Sequence, residues 1–216
     1  SEIESFFDSE VTPGRSKRGL TLLGTLLHDI GKPMTMKVGL DKQLHYYGHA
    51  QVGADLALDA ARRLKLSNAE ADWIQKMVRQ HMKLLPLVNA KASLSRKVIY
   101  RFFNEVGDVG VAIALHSLAD TAATFGDSLT HENWQAAVEV TRELLSAWWE
   151  HNDEVISPAL FFDGNDLQSE FALEPGKQIG ELLAGLREAQ AIGEVTDRLE
   201  ARAFIHSQLS QMEKGE

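Results

Sequence analysis

The sequence predicts an all-α protein, with a helical bundle over residues 1–150 and a small C-terminal helical appendage over residues 151–216. Two observations carry that expectation. Apolar residues recur at i, i+3 and i+4 rather than at every second position, and the turn signals fall between runs of helical length. No tract repeats at a fixed period and none is of low complexity, so a solenoid has no support and only a few terminal residues are expected to fray.

The first clear helix runs from Leu20 to Ile30, stopped by Gly31, where a left-handed residue fits, and by Pro33, which cannot continue a helix. Its last turn then carries His28 and Asp29. A polar loop from Gly39 to Gly48 leads to a helix over Ala50–Leu66, whose small alanine and glycine residues allow close packing. Ser67 and Glu70 have capping-box spacing and open a helix that reaches about Met82. Ser93 or Ser95 caps the next one, through Phe103. Val111–Thr124 is apolar almost throughout and reads as a central buried helix, and Thr130–Trp149 makes one more long helix. After Trp149 the texture becomes punctuated by proline and glycine before two final helices, near Gln178–Ala191 and Thr196–Met212. Asp163-Gly164-Asn165-Asp166 lacks the remaining ligands of a calcium loop and reads as a turn with capping residues.

With 216 residues, 44% of them hydrophobic and 25% charged, the chain can build a sizeable core. No run approaches eighteen uninterrupted apolar residues, and the acidic opening lacks the order of a signal peptide, which predicts no membrane span and a cytoplasmic location. The absence of cysteine excludes disulfides, thiolate metal sites and a cysteine nucleophile, leaving eight histidines and the carboxylates as metal ligands. The net charge of -9 argues against general nucleic-acid affinity, but residues 61–101 hold ten Lys or Arg against Glu70 and Asp72, a local +8. That segment reads either as solvated helix faces or as a phosphate-attracting patch able to draw a nucleotide or RNA.

His28 and Asp29 supply a nitrogen and an anionic oxygen ligand from one helix end. His49 stands just before a helix, His81 ends another, and Asp120 sits in the apolar helix, where a carboxylate needs a cation or a donor. A divalent metal held by His28, Asp29 and Asp120 would satisfy all three, with His49 and His81 holding a second ion or a substrate phosphate. Lys32 stands near enough to touch that phosphate, or simply complements a helix C-terminus. Such a set suits hydrolysis of a phosphate ester, because a metal lowers the pKa of bound water and neutralises phosphoryl oxygens. His116, one turn before Asp120, could support it through a hydrogen bond. His45, His131, His151 and His206 read as loop, surface or helix-end residues, and Trp148 and Trp149 as packing residues.

The strings LLHDIGKP at 26–33, YYGHAQVGADLA at 46–57, VRQHMK at 78–83 and SLADTAAT at 117–124 resemble the HD superfamily of metal-dependent phosphohydrolases. More narrowly, RRLKLSNAEADWIQKMVRQHM and the stretch 164–202 are similar to the HD-containing C-terminal half of bacterial tRNA nucleotidyltransferase and poly(A) polymerase-like proteins. The resemblance spans about residues 20–205 and implies an HD-domain helical bundle. It also implies metal ligands at His28, Asp29 and Asp120, with His49 and His81 matching histidines that bind a second ion or phosphate. Two departures accompany it. Residues 1–27 hold no histidine to match the superfamily's usual upstream ligand, and nothing reads as the β-containing nucleotidyltransferase head, so this chain by itself is not expected to add nucleotides to tRNA.

Two functions follow. One is a metal-dependent phosphodiesterase or phosphatase, with His28, Asp29, Lys32 and Asp120 as the catalytic group, acting on a nucleotide or RNA-end phosphate ester through metal-activated water. Mixed histidine and carboxylate ligands admit manganese, magnesium, zinc, iron or nickel. The other is an RNA-binding helical body of a tRNA nucleotidyltransferase-like protein, using the basic segment 61–101 along a phosphate backbone.

Overall fold

A computed structural model describes residues 1–212, so the last four residues of the expected fraying terminus lie outside the described residues. The chain divides into two compact units: Ser1–Ser93 with Val106–Arg142, and Leu94–Glu105 with the segment from Glu143 onward. The sequence texture changes after Trp149, whereas this division falls inside a helix at Arg142/Glu143 and groups most of the helix after Ser95 with the C-terminal unit.

The first unit opens with α1 (Glu2–Asp8), capped by a Ser1/Glu4 capping box, and a hairpin of β1 (Glu10–Thr12) and β2 (Arg15–Ser16). There follow α2 (Lys17–Leu27), the single turn α3 (Lys32–Thr35), a second hairpin of β3 (Lys37–Val38) and β4 (Leu44–His45), and α4 (His49–Arg63). Then come α5 (Asn68–Gln80), a 3-10 turn over His81–Leu84, and α6 (Leu85–Ala90). After α7 (Arg96–Val106), the unit resumes with α8 (Val109–Phe125) and the start of α9 (His131–Glu150). The two hairpins are the only strands among the described residues, and they qualify an otherwise helical fold.

Helix α5 is the centre of this unit, packing against α2, α4 and α8. Its Ala71, Ile74, Met77 and Val78 are buried, a helical period whose four side chains all face inward. The facing side of α4 is Gly53, Ala54, Ala57 and Ala61, small enough for the backbones to approach closely. Full burial of a side chain such as Ile74 contributes roughly 1.5–3 kcal/mol. The Ser67/Glu70 capping box opens α5 as the spacing predicts, and the buried Glu70 carboxylate also accepts from the Thr12 hydroxyl, tying the first hairpin to the helix start. That hydrogen bond, with the Ser67 N–H, holds the Glu70 carboxyl below the usual carboxylate range.

Two local expectations fail near the chemistry-bearing residues. Helix α2 ends at Leu27, so His28 and Asp29 lie in the turn beyond it rather than in its last turn. Gly31 is not left-handed: its φ is -79°, and Pro33 sits in the first turn of α3, where a missing N–H costs nothing. Glycine is required there for another reason. A Cβ on Gly31 would stand 2.2 Å from the His49 carbonyl oxygen and 2.6 Å from the Gly53 nitrogen, so the turn after α2 is pressed onto the first turns of α4.

Helix α8 is buried from Val109 to Ala114, but the burial ends one turn before Asp120. Val109–Ser128 is the one described segment long and apolar enough by composition to cross a membrane; its first half is core, and its second half carries serine, threonine and aspartate. The second unit has a core of Phe162, Leu167, Ile179, Leu182, Leu186, Ala189, Val195, Ala201 and Ile205, drawn from α10 (Gly164–Phe171), α11 (Lys177–Ile192), α12 (Arg198–Met212) and the segments before α10 and between α11 and α12. Asp163 caps α10 through a capping box with Asp166, as the turn reading expects. The buried Gln190 amide is satisfied on both sides, donating to the Ala159 carbonyl at 2.7 Å and accepting from the Phe161 N–H at 3.2 Å.

Candidate metal centre

Three imidazoles are oriented by one local device. The Nδ1 of His28 lies 2.7 Å from the Thr25 carbonyl, that of His49 2.8 Å from Tyr46, and that of His81 2.7 Å from Val78. A carbonyl oxygen only accepts, so each Nδ1 carries the hydrogen and each Nε2 is left to present a lone pair. Each ring is thus steered by a backbone group three residues earlier, at a helix end or in the turn entering a helix.

The three Nε2 atoms converge on Asp29. Its Oδ2 lies 3.2 Å from His28 Nε2. Its Oδ1 lies 3.4 Å from His49 Nε2 and 3.8 Å from His81 Nε2. His49 Nε2 and His81 Nε2 are themselves 3.1 Å apart. Two lone pairs at that distance repel unless a cation, a proton or a metal ion, lies between or beside them. Asp29, His49 and His81 bring their ligand atoms within 4.8 Å of one another, a mixed imidazole and carboxylate set that fits a divalent transition metal. Asp120 approaches from α8, with Oδ1 3.6 Å from His28 Nε2, so Asp29 and Asp120 share that histidine between them. Its side chain is 39% exposed, so the buried carboxylate that the apolar helix predicts is instead a half-buried one lining a cavity.

Lys32 donates to Asp29 Oδ2 at 2.5 Å. Partial burial by itself raises the Asp29 pKa, but the hydrogen bond and charge of Lys32, with the neighbouring imidazoles, outweigh it and hold the carboxyl below its usual range. Burial lowers the pKa of His81, and the neighbouring His28 and His49 lower it further, which favours the neutral, ligating form.

His116 is buried. Its Nδ1 lies 3.3 Å from the Thr25 hydroxyl, its ring packs edge-on against His28 with centroids 4.8 Å apart, and its Nε2 has no hydrogen-bond partner. Burial, then His28, pushes its pKa down to about 4. Its bond goes to Thr25 rather than to Asp120, and so it buttresses His28 instead of the aspartate.

Asp29, Lys32, His49, His81 and Asp120 line one cavity of about 600 Å³. His45, which the sequence suggests is loop surface, lines it too, together with Tyr46, Tyr47, Met82, Leu85, Ser117, Thr121, Thr124 and Phe125, none of which was singled out from the sequence for this site. A signal existed for part of this set: Ser117, Asp120, Thr121 and Thr124 recur at helical spacing and form the polar stripe of an otherwise apolar helix.

Much of the basic segment 61–101 is ion-paired. At least six of its ten cations pair with carboxylates: Arg62 with Asp59, Lys76 with Asp72, Arg79 with Asp55, Lys91 with Glu132, Arg96 with Glu154 and Arg101 with Glu188. Five of those acids lie outside the segment, so its local +8 is a feature of the sequence window. The segment is also divided, with Arg96, Lys97 and Arg101 belonging to the second unit.

Comparison with known proteins gives the family. Residues 7–157 match the HD domain family. The chain is 34% identical over 182 residues to an A-adding tRNA nucleotidyltransferase from Deinococcus radiodurans, covering 84% of this chain and 40% of that protein. It is 30% identical over 184 residues to a CC-adding tRNA nucleotidyltransferase from Thermus thermophilus, covering 85% of this chain and 38% of that protein. A bifunctional uridylyltransferase/uridylyl-removing enzyme from Mycobacterium tuberculosis is 30% identical over 121 residues, covering 55% of this chain and 14% of that enzyme. The chain therefore spans about two fifths of the length of the two tRNA nucleotidyltransferases it matches. Its family match extends over more than half its length and contains all five converging side chains, and on that ground this chain belongs to the HD domain family.

Proposed function

We propose that this chain is a metal-dependent phosphohydrolase, a phosphodiesterase or phosphatase acting on a nucleotide or RNA-end phosphate ester. The observation that supports the reading most is the meeting of His49 Nε2 and His81 Nε2 at 3.1 Å over the Asp29 carboxylate, an arrangement a bound cation stabilises and an empty site does not. A divalent ion there supplies a Lewis acid that lowers the pKa of water and neutralises phosphoryl oxygens. Asp29 offers one oxygen toward His49 and His81 and the other toward His28, so it is the residue on which the whole set depends. The ammonium of Lys32, at the same carboxylate, is placed to meet a phosphate oxygen once one enters the cavity. His28, held in its tautomer by Thr25, stands between the two aspartates, where its Nε2 lone pair and their oxygens can share a bound cation. The metal is one of manganese, magnesium, zinc, iron or nickel, and the protein is cytoplasmic in this reading.

The similarity to tRNA nucleotidyltransferases over most of this chain favours a second reading, an RNA-binding helical body without catalysis of its own. Pairing of at least six of the basic-segment cations with nearby carboxylates tempers it, since those acids lower the local positive potential that a phosphate backbone would meet. One assay compares them. The purified chain, loaded in turn with each of the five metals, is offered bis(p-nitrophenyl) phosphate and nucleoside 2′,3′-cyclic phosphates, and its tRNA affinity is measured across salt concentrations. Metal-dependent release of product with little salt-sensitive tRNA binding is expected. Steeply salt-dependent tRNA binding with no hydrolysis under any metal overturns the enzyme reading.

A further inference from the structure

The cavity that holds the Asp29 cluster is also lined by apolar side chains. Leu44, Tyr47, Met82, Leu85 and Phe125 are all large, apolar or aromatic and exposed, and all line it. Exposed apolar side chains are ordinarily scattered, and their collection in one concavity beside a polar cluster is the signature of a ligand with a polar and an apolar part.

Tyr47 is the best-prepared of them. It is 78% exposed, yet its ring lies parallel to that of His45, with an interplanar angle of 8° and centroids 5.2 Å apart. His45 is itself clamped: its Nε2 donates to the Asp41 carboxylate at 3.1 Å, and its backbone pairs with Lys37 across the second hairpin. Gly39 makes the clamp possible, because a Cβ there would stand 2.5 Å from Asp41 Oδ1 and 2.6 Å from the His45 ring. A stacked, hydrogen-bonded pair of this kind is a preorganised aromatic surface with one face taken by His45 and the rest open. Along α8, Ser117, Thr121 and Thr124 add hydroxyl groups to the lining of the same cavity, a chemistry suited to a sugar, with the Thr121 hydroxyl donating to the Ser117 carbonyl at 2.8 Å. The cavity, about 600 Å³, lies within the ~300–1,000 Å³ of small-ligand pockets.

We propose that the Tyr47–His45 pair is a base platform, and that Tyr47 selects nucleoside phosphates over phosphate esters that carry no base. The inference rests on the phosphohydrolase reading only for the position of the phosphate, at the Asp29 cluster. Every base has a π-face, so stacking there favours nucleotides as a class without selecting one base. The same chemistry serves a free mononucleotide and the terminal nucleotide of an RNA.

The test is calorimetry on the whole manganese-loaded chain with adenosine 5′-monophosphate and with ribose 5-phosphate. The nucleotide is expected to bind about tenfold tighter or more, the scale of one base–aromatic stack. Tyr47→Ala is expected to collapse that ratio toward one, and Tyr47→Phe to keep it; both variants are checked by circular dichroism, and Tyr47 is too exposed to carry the fold. Equal affinities in the unmodified chain, or a ratio that survives Tyr47→Ala, overturns the proposal. A trinucleotide with the same terminal nucleotide separates the two sources: tighter binding than the mononucleotide assigns the platform to an RNA end, weaker binding to a free nucleotide. Adenosine binding to the Asp29→Ala variant keeps this test apart from the metal. Base binding that persists there, alongside an unmodified chain that hydrolyses nothing under any metal, sinks the phosphohydrolase reading and leaves the platform standing.

Discussion

Asp29→Ala is expected to abolish metal binding and to lower any phosphohydrolase activity by more than about 100-fold, beyond the 10–100-fold typical of residues that only support a metal ligand. The expectation follows from geometry: both Asp29 oxygens are used, one facing His49 and His81 and the other facing His28 and Lys32, and no neighbouring carboxylate can replace both. The fold is expected to survive. The Asp29 side chain is 35% exposed and its Lys32 partner 40%, so their ion pair is close to a surface one and contributes about 0–1 kcal/mol. Circular dichroism with assays on a phosphodiester substrate checks both halves. A variant that keeps full metal-dependent hydrolysis removes Asp29 from the chemistry altogether.

Gly31→Ala should disable the site without touching a single ligand atom. The added Cβ meets backbone, the His49 carbonyl oxygen at 2.2 Å and the Gly53 nitrogen at 2.6 Å, and backbone in two packed segments yields only if one segment moves. The turn carrying His28 and Asp29 must then draw away from the first turn of α4, which carries His49. Overpacking of this kind costs about 1–3 kcal/mol, or about 2–4 °C in Tm for each kcal/mol in a chain of this size. Metal affinity is expected to fall together with Tm. Gly24 is the control: a Cβ there meets the sulfur of Met77 at 2.6 Å, the flexible part of a side chain that can turn aside, so Gly24→Ala should cost less and leave metal affinity nearly intact. If Gly31→Ala binds metal as tightly as the unmodified chain, the close approach of these two segments is not what assembles the cluster.

The helical character of the chain was legible because it rests on local periodicity. The inward face of α5, the Ser67/Glu70 capping box and the Asp163 cap all involve residues within one turn or so of each other, the range over which spacing determines what can meet. The residues that converge at the site could be named from their chemical types and their family strings. Their distances could not, since His28, His49, His81 and Asp120 come from four segments whose approach depends on packing. Gly31 shows how a correct residue can be given the wrong reason: a glycine after a helix suggests a left-handed stop, and the steric demand comes instead from a backbone eighteen residues away in sequence. Pro33 likewise starts a turn rather than ending a helix, because proline fits both roles and only the path of the chain decides. The ion pairing of segment 61–101 was not legible for a related reason, since most of the acids that pair with it lie elsewhere in the sequence. The short hairpins went unread because two or three residues are too few to show a period of two.

The most direct test of the account is a measurement of bound metal. Crystals of the purified chain, soaked or grown with manganese and, separately, nickel, are measured at the absorption edge of each metal. The account predicts an anomalous peak in contact with Asp29, His49 and His81, at the point where the Nε2 atoms of the two histidines now lie 3.1 Å apart. No peak at Asp29 with either metal, together with no metal retained by the protein in solution by elemental analysis, would contradict it.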